Sequence, residues 1–480
     1  MKPITDLTII AWLIVGGLHV AVMIHAVMVA DRDPYARAAW LLLLLTLPLV
    51  GLALYLLFGE TWITERERRR WNCLSAELSA FAPHPTGGPH TACFAQNSFR
   101  SFEGAAGWKT TEGNTAHLLT DSNASIDRLV ADIEAAERFI HLSFYIWLDD
   151  RNGTKVVEAV CRAASRGVQC RIAADALGSR AFIRSRHWDQ MKDAGAQLCR
   201  LLSAPIGLGL LAGRRTDLRN HRKIAVIDGK IAYCGSQNCA DPDFLVKAAY
   251  APWVDCMLRL EGPVARQTDL IFAQVWARET GEDMGAHFAT DRALSDRNGF
   301  RAIAAGTGPL SPHGTMSDLF VSAISAAAAT LTITTPYFAP DPGLAAAIVA
   351  AARRGVRVRI VFPHRNDSRI VGAISRAYYS NLASAGVSIF EFQGGLLHAK
   401  TLLADDRLVL IGSSNMDRRS LDLNYENNVL LDCREIAQQV RKRQEQWLND
   451  CKAIPQTDAC NRPLARRFAD NLLTMIAPVF

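Results

Sequence analysis

The sequence predicts an α/β protein of two duplicated lobes, each a mixed sheet flanked by helices, with two N-terminal transmembrane helices. Three observations carry this prediction: two uncharged apolar stretches at the start, a strand–helix–strand order that occurs twice, and a polar residue set repeated at an interval of 177 positions. A length of 480 residues exceeds one comfortable core, and a hydrophobic fraction of 49% excludes intrinsic disorder. The eleven cysteines are odd in number and form no CxxC pair, which excludes a small disulfide scaffold and points to a reducing compartment for most of the chain. A net charge of +6 suits DNA, RNA and anionic lipid alike, so the sign alone selects no partner.

From Leu7 to Ala30, and again from Ala38 to Phe58, there is no Asp, Glu, Lys or Arg. Each stretch is long enough for a bilayer core, which takes about 20 residues. Pro48 and Gly51 inside the second are tolerated in membrane helices. The first apolar run is too long for a signal peptide, and a second follows at once. Arg32 and Arg37 lie in the connector, whereas Arg66, Arg68, Arg69 and Arg70 follow the second span. Counting positive charge then puts both termini in the cytoplasm, with a multi-pass anchor and cytoplasmic lobes. The four arginines also suit anionic head groups.

The anchor is expected over residues 1–60 and a connector over 61–115, marked by Pro83, Pro85, Gly87, Gly88 and Pro89. Beyond it, a strand over 139–146, a helix over 156–165, the turn Arg166-Gly167-Val168 and a strand over 170–173 recur as 331–338, 344–353, Arg354-Gly355-Val356 and 358–361. Strand, helix, glycine turn and strand read as a βα unit feeding a second parallel strand. The lobes are expected over 116–285 and 286–480, dividing between Glu279 and Arg297.

His221, Lys223, Asp228, Gly235, Ser236 and Asn238 form an H-x-K-x4-D-x6-G-S-x-N array, and His398, Lys400, Asp405, Gly412, Ser413 and Asn415 repeat it. Ile224–Ile227 and Ile231–Tyr233 read as strands around a two-residue Asp228-Gly229 turn, which sets His221 opposite Ser236 and Lys223 opposite Cys234. The same count around Asp405-Asp406 sets His398 opposite Ser413. Two such clusters meeting across a lobe interface would make a phosphate site. Imidazole serves as nucleophile or acid near neutrality, lysine supplies positive charge, and Ser236, Asn238, Ser413 and Asn415 supply neutral donors to the phosphate. The catalytic set is therefore His221, Lys223, Asp228, His398, Lys400 and Asp405; the two aspartates lie at the far strand ends, where turn or lobe-stabilising roles fit better than substrate contact. A zinc site is disfavoured, because the histidines sit beside lysines and lack a Cys or second His at ligand spacing.

At these residues the chain resembles the phospholipase D superfamily and, within it, the bacterial cardiolipin synthases. Leu54-Tyr55-Leu56-Leu57-Phe58-Gly59, Trp253-x-Asp255, Arg259-Leu260-Glu261-Gly262-Pro263, Pro336-Tyr337-Phe338-Ala339-Pro340-Asp341, Tyr378-Tyr379 and Asn415-Met416-Asp417-x-Arg419-Ser420 extend the resemblance over nearly the whole length. Ser236 departs from it, where a second glycine is more usual. The resemblance implies phospholipase D-like lobes, no metal, no cofactor, and transfer through a covalent phosphatidyl-histidine. It casts His221 as nucleophile and His398 as acid and base, with Asp255 and Glu426, 34 and 28 residues past those histidines, orienting the imidazoles. The implied substrate is phosphatidylglycerol in the bacterial inner membrane; water or another alcohol such as serine or ethanolamine is the alternative acceptor. Nucleic acid is disfavoured, since the basic run Arg353, Arg354, Arg357, Arg359 lacks interleaved aromatics. Leu464, Phe468, Leu472 and Met475 recur at helical spacing, to pack on a lobe or rest on the membrane.

Overall fold

The computed structural model describes residues 2–29, 32–59, 61, 63–83, 94–203, 217–290, 299–461 and 463–476. Pro85, Gly87, Gly88 and Pro89 of the expected connector, and Arg297 at the expected lobe boundary, lie outside the described residues.

The chain opens with α1 (Lys2–Met28), whose Thr8–Met28 portion is long and apolar enough to cross a bilayer. The second apolar stretch is not a single helix. It divides at Leu47 into α2 (Pro34–Thr46) and α3 (Pro48–Phe58). Proline has no N–H to donate into a continuing helix and its ring clashes with the preceding turn. The two pieces fold back on each other: Trp40 meets the Tyr55 ring edge-on at 5.0 Å, and Arg32 reaches the Gly59 carbonyl. Gly51 permits this approach, since a Cβ there would stand 2.7 Å from the Leu43 carbonyl oxygen.

The segment expected to be a plain connector carries two helices, Glu65–Ser79 and Gln96–Ala106. Thr64 begins the first with a capping box, its hydroxyl accepting from the Glu67 N–H while Glu67 accepts from the Thr64 N–H.

The first lobe supplies β1 (Thr111–Leu118), β2 (Phe139–Phe144), β3 (Gln169–Asp175), β4 (Gln197–Leu201), β5 (Lys223–Ile227), β6 (Ile231–Gly235) and β7 (Met257–Glu261). The second supplies β8 (Phe300–Thr307), β9 (Thr330–Thr334), β10 (Arg357–Pro363), β11 (Ser388–Phe392), β12 (Thr401–Ala404), β13 (Leu408–Gly412), β14 (Glu426–Asp432) and β15 (Cys451–Ile454). All fifteen belong to one sheet. From the centre outwards the first lobe runs β1-β7-β6-β5-β2-β3-β4, and the second runs β8-β14-β13-β12-β9-β10-β11-β15, the same order with one added edge strand. In both, the βα units pair in parallel and the motif hairpin pairs antiparallel. The helices Arg151–Ser165 and Pro342–Arg353 occupy equivalent crossovers, as the repeated pattern predicts.

Antiparallel pairing of β1 with β8 joins the two halves, and one hydrophobic core runs through both. The helix Pro263–Thr280 lies in that shared core, where the Gln267 side chain accepts from the Ala304 N–H of the other lobe. A rigid joint of this kind holds two half-sites in fixed relation.

Candidate active site

Each motif hairpin is one residue longer at its turn than the sequence predicts. Ile227 pairs with Ile231 and Ala404 with Leu408, so the turns are Asp228-Gly229-Lys230 and Asp405-Asp406-Arg407. Counted back along each ladder, Lys223 falls opposite Gly235 rather than Cys234, and His398 falls level with Ser414 rather than Ser413. Asp228, Gly229, Asp405 and Asp406 all take positive φ, which aspartate tolerates better than most residues. The identical offset in both lobes preserves one geometry built twice.

Asp228 and Asp405 sit in the turns, at the ends of the hairpins away from the histidines, and anchor them there. The Asp228 carboxylate accepts from the N–H groups of Glu137, Arg138 and Phe139 at 2.9, 2.8 and 2.9 Å. Asp405 does the same for Ala328, Ala329 and Thr330 at 2.7, 2.7 and 2.8 Å. Each carboxylate pins the hairpin tip to the start of the neighbouring antiparallel strand through three backbone N–H groups.

At the other hairpin end the lobes interlock. The His221 N–H donates to the Tyr425 carbonyl at 2.9 Å, while the His398 N–H donates to the Val254 carbonyl at 2.8 Å. Each histidine is thus laid along the segment that carries the other lobe's carboxylate. His221 Nδ1 meets the Glu426 oxygens at 2.9 and 3.0 Å, and His398 Nδ1 meets Asp255 Oδ1 at 2.7 Å. The pairing is crossed, not contained within one repeat as the spacing from each histidine suggests. It leaves Nε2 of each ring as the nitrogen for chemistry.

The serines serve the carboxylates. Ser236 donates to Asp255 at 2.6 Å and accepts from the Cys256 N–H, and Ser413 donates to Glu426 and accepts from the Asn427 N–H. A hydroxyl has one proton, so neither serine is left to donate to a phosphate as the sequence reading expects. The substitution of serine for glycine at 236 is explained by this bond. Asn238 accepts from the Ile146 N–H at 3.3 Å, and Asn415 donates to Ser420 at 3.2 Å with its side-chain oxygen unpartnered.

Lys223 and Lys400 are buried, and each Nζ donates to the carbonyl of its own motif histidine at 2.6 Å. Burial, then the other lysine's charge, lowers Lys223 to about 7; burial lowers Lys400 to about 8. Burial likewise lowers both imidazoles to about 4, with the adjoining carboxylates opposing and the lysines reinforcing that shift. His221 feels Lys400, and His398 feels Lys223. That mutual reach marks the two clusters as one electrostatic site. Burial raises the carboxyls of Asp255 and Glu426, but their imidazole, lysine and serine neighbours more than offset it and keep both ionised. Two buried lysines that each depress the other's charge, with Asp255 and Glu426 already taken by the imidazoles and serines, make a site suited to a further anion.

Several contributors leave little mark in the sequence. Arg222, the variable residue of the first H-x-K, is buried and donates to the carbonyls of Glu426, Ile271 and Thr307; its counterpart is Ala399. Asp175 accepts from the Asn220 N–H beside His221, and the Trp253 ring lies 4.7 Å from that of His398. Asymmetry at the x position was the available signal for Arg222, and the Trp253-x-Asp255 resemblance singled out Trp253; Asp175 carried none. Elsewhere His141, Asp269 and His287 bring possible metal-ligand atoms within 4.8 Å. His141 is already committed, with Nδ1 on Asp269 at 2.6 Å and Nε2 on Arg171 at 3.1 Å, and the guanidinium repels a cation.

Two half-sites of His, Lys and Asn, each histidine held by the opposite lobe, define a two-lobed phosphodiester-transfer enzyme. The comparisons narrow this. The family model described as "Cardiolipin synthase, PLD-like domain" matches residues 129–276 and 320–448, and one described as "Phospholipase_D-nuclease N-terminal" matches 17–60. Cardiolipin synthase A of Escherichia fergusonii is 35% identical over 99% of both chains, as is that of Edwardsiella ictaluri. The crystal structure of phosphatidylserine synthase from Haemophilus influenzae superimposes with a TM-score of 0.57 at 16% identity, over 79% of this chain and 100% of that one, a likeness of fold. The chain belongs to the cardiolipin synthase family of phospholipase D-like proteins.

Proposed function

We propose that the protein is a membrane-associated phosphatidyltransferase that joins two phosphatidylglycerol molecules into cardiolipin and glycerol. The crossed histidine–carboxylate pairs carry the mechanism, and the full-length similarity to cardiolipin synthase A supports the substrate. The first lipid's phosphodiester sits against Lys223, Lys400, Asn238 and Asn415. His221, its Nδ1 proton donated to Glu426, attacks phosphorus through Nε2 and forms the P–N bond. His398 gives its proton to the departing glycerol oxygen as the P–O bond breaks. The anionic phosphodiester raises both imidazoles from about 4, so that His398 can hold that proton. The second phosphatidylglycerol then gives its terminal hydroxyl proton to His398, its oxygen bonds to phosphorus, and His221 leaves. Asp255 and Glu426 position the rings, and the lysines and asparagines offset charge on the non-bridging oxygens.

The domain division we adopt is an anchor over 1–60, a lead-in over 61–115 and lobes over 116–285 and 286–480, with residues 111–115 of β1 packing with the first lobe. We place the lobes on the cytoplasmic side of the bacterial inner membrane, in keeping with Arg66, Arg68, Arg69 and Arg70 at the end of the anchor. Incubating the full-length protein with phosphatidylglycerol vesicles tests the function. One glycerol should appear for each cardiolipin, and folded protein that yields no cardiolipin would overturn the reading. Competing water, serine and ethanolamine, resolved by product mass, distinguishes a hydrolase or another transferase.

A further inference from the structure

The anchor holds its chain ends in an arrangement that two spans cannot produce. Two antiparallel spans would bring Gly59 back beside the start of α1. Instead Gly59 lies at the far end of that helix: Arg32 donates to the Gly59 carbonyl and, at 3.0 Å, to the Tyr55 hydroxyl, which meets His25 Nδ1 at 2.9 Å. Arg37 ties the same end by donating to the Val29 carbonyl at 2.9 Å. Val22, Ala26, Trp40, Leu44, Leu52 and Tyr55 form the small core of this three-helix unit.

The α1–α2 connector also sits against the lobes. Val29, Arg32, Gly59 and Arg68 share a cavity of 460 Å³ with Gly308, Pro312 and His313 of the second lobe. Both open ends of the α2–α3 hairpin therefore face the lobes. The arms of 13 and 11 residues rise only about 20 and 16 Å, short of a hydrocarbon core of about 30 Å, and Tyr35, Ala38 and Leu42 of α2 still line a cavity with the second lobe. The tip suits that depth. Leu45, Leu47, Leu49 and Val50 are exposed, the Thr46 hydroxyl is satisfied by the Leu42 carbonyl, and Pro48 removes one N–H that hydrocarbon could not hydrate.

Beside the hairpin lies the C-terminal helix Leu464–Ile476. It packs on the helix Arg369–Ser384 and touches α2, yet leaves Leu464 and Phe468 80% and 72% exposed, with Leu472 and Met475 exposed on the same face. Among the described residues, the large exposed hydrophobics outside the anchor and this helix are Leu177, Leu245, Val246 and Ile370 alone. Apolar exposure this concentrated marks a surface that meets lipid.

We propose that the chain crosses the bilayer once, through α1, while the α2–α3 hairpin enters and leaves the leaflet on the side of the lobes and the C-terminal helix lies flat in the same interface. The N terminus is then on the opposite side from the lobes. Charge agrees: Arg32, Arg37, Arg66, Arg68, Arg69 and Arg70 all fall on the lobe side and Lys2 alone on the other, a stronger bias than two spans give. The partner surface is the hydrocarbon and head-group region of one leaflet, so a lipid rising from that leaflet meets the protein on the lobe side.

The test uses the full-length chain in sealed vesicles of both orientations, with an N-terminal epitope, a C-terminal epitope and a Tyr35→Cys substitution probed by impermeant maleimide and located by peptide mass. The expected pattern places Cys at 35 and the C-terminal epitope on one side and the N-terminal epitope on the other. Two spans would put both epitopes together and the cysteine opposite them; all three on one side would remove the crossing by α1. Either result overturns the proposal. The pattern is read without turnover, so it stands or falls apart from the cardiolipin reaction.

Discussion

The crossed pairing makes a prediction that pairing within a lobe reverses. Glu426→Gln keeps the side-chain length but replaces the charged acceptor that His221 Nδ1 meets at 2.9 and 3.0 Å. A hydrogen bond to a charged group contributes about 1.5–3 kcal/mol. This bond strengthens as the imidazole gains positive charge during attack, so the loss falls on the transition state and slows adduct formation by about 10- to 150-fold. Where the amide instead donates to Nδ1, the ring proton moves to Nε2 and the loss approaches about 10⁴-fold, as for the equivalent change in a serine protease triad. The assay uses the His398→Ala background and a phosphatidyl nitrophenyl ester, whose leaving group needs no acid, with the nitrophenol burst as readout. There Glu426→Gln should still slow the burst by at least 10-fold, while Asp255→Asn should add almost nothing, its imidazole partner being already gone. A burst slowed by Asp255→Asn and untouched by Glu426→Gln would refute the crossed arrangement.

Other consequences follow from the same geometry. Asp228→Ala removes the acceptor for three backbone N–H groups and should lower stability by roughly 3 kcal/mol, with Asp228→Asn milder, while turnover per folded molecule is kept; thermal unfolding with activity at reduced temperature checks this. Because Lys223 and Lys400 stand at about 7 and 8 against an ordinary 10.5, the native protein holds fewer protons than the unfolded chain between those values. Stability should therefore rise from pH 7 towards 10 and fall as pH drops through that window, an effect that Lys223→Met flattens. An anionic, unreactive phosphonate lipid should restore the charged lysines and take up about one proton at pH 8, measured by calorimetry in buffers of differing ionisation enthalpy; no uptake would contradict the lysine pair's role.

What the sequence made legible was the part whose chemistry demands particular residue types. The H-x-K arrays, their duplication and the βα units flanking them all appear where the pattern predicts, because apolar alternation and a glycine turn at Gly167 or Gly355 constrain the chain locally. The turn register failed by one residue because Asp228-Gly229 is a strong two-residue signal by itself. Its carboxylate is claimed by backbone far away in the chain, and although the Lys230 N–H donates to the Ile227 carbonyl, ladder pairing resumes only at Ile231. The crossed carboxylates were illegible for a related reason: nothing inside one repeat says that His398 follows Val254, a contact made between strands of different lobes. In the anchor, composition reports apolar length but not direction. Pro48 ends the first arm and Gly51 permits the close approach to Leu43 by which the second stretch turns back.

The central claim is that both histidines flank one phosphorus atom and that one of them carries the phosphatidyl group. Trapping the lipid adduct by rapid acid-free denaturation and locating it by peptide mass tests this most directly. A single phosphatidyl group per chain is expected, on His221, absent in His221→Ala and persisting in His398→Ala with the nitrophenyl substrate. Two groups per chain, one on each histidine, would show two independent sites and contradict the account.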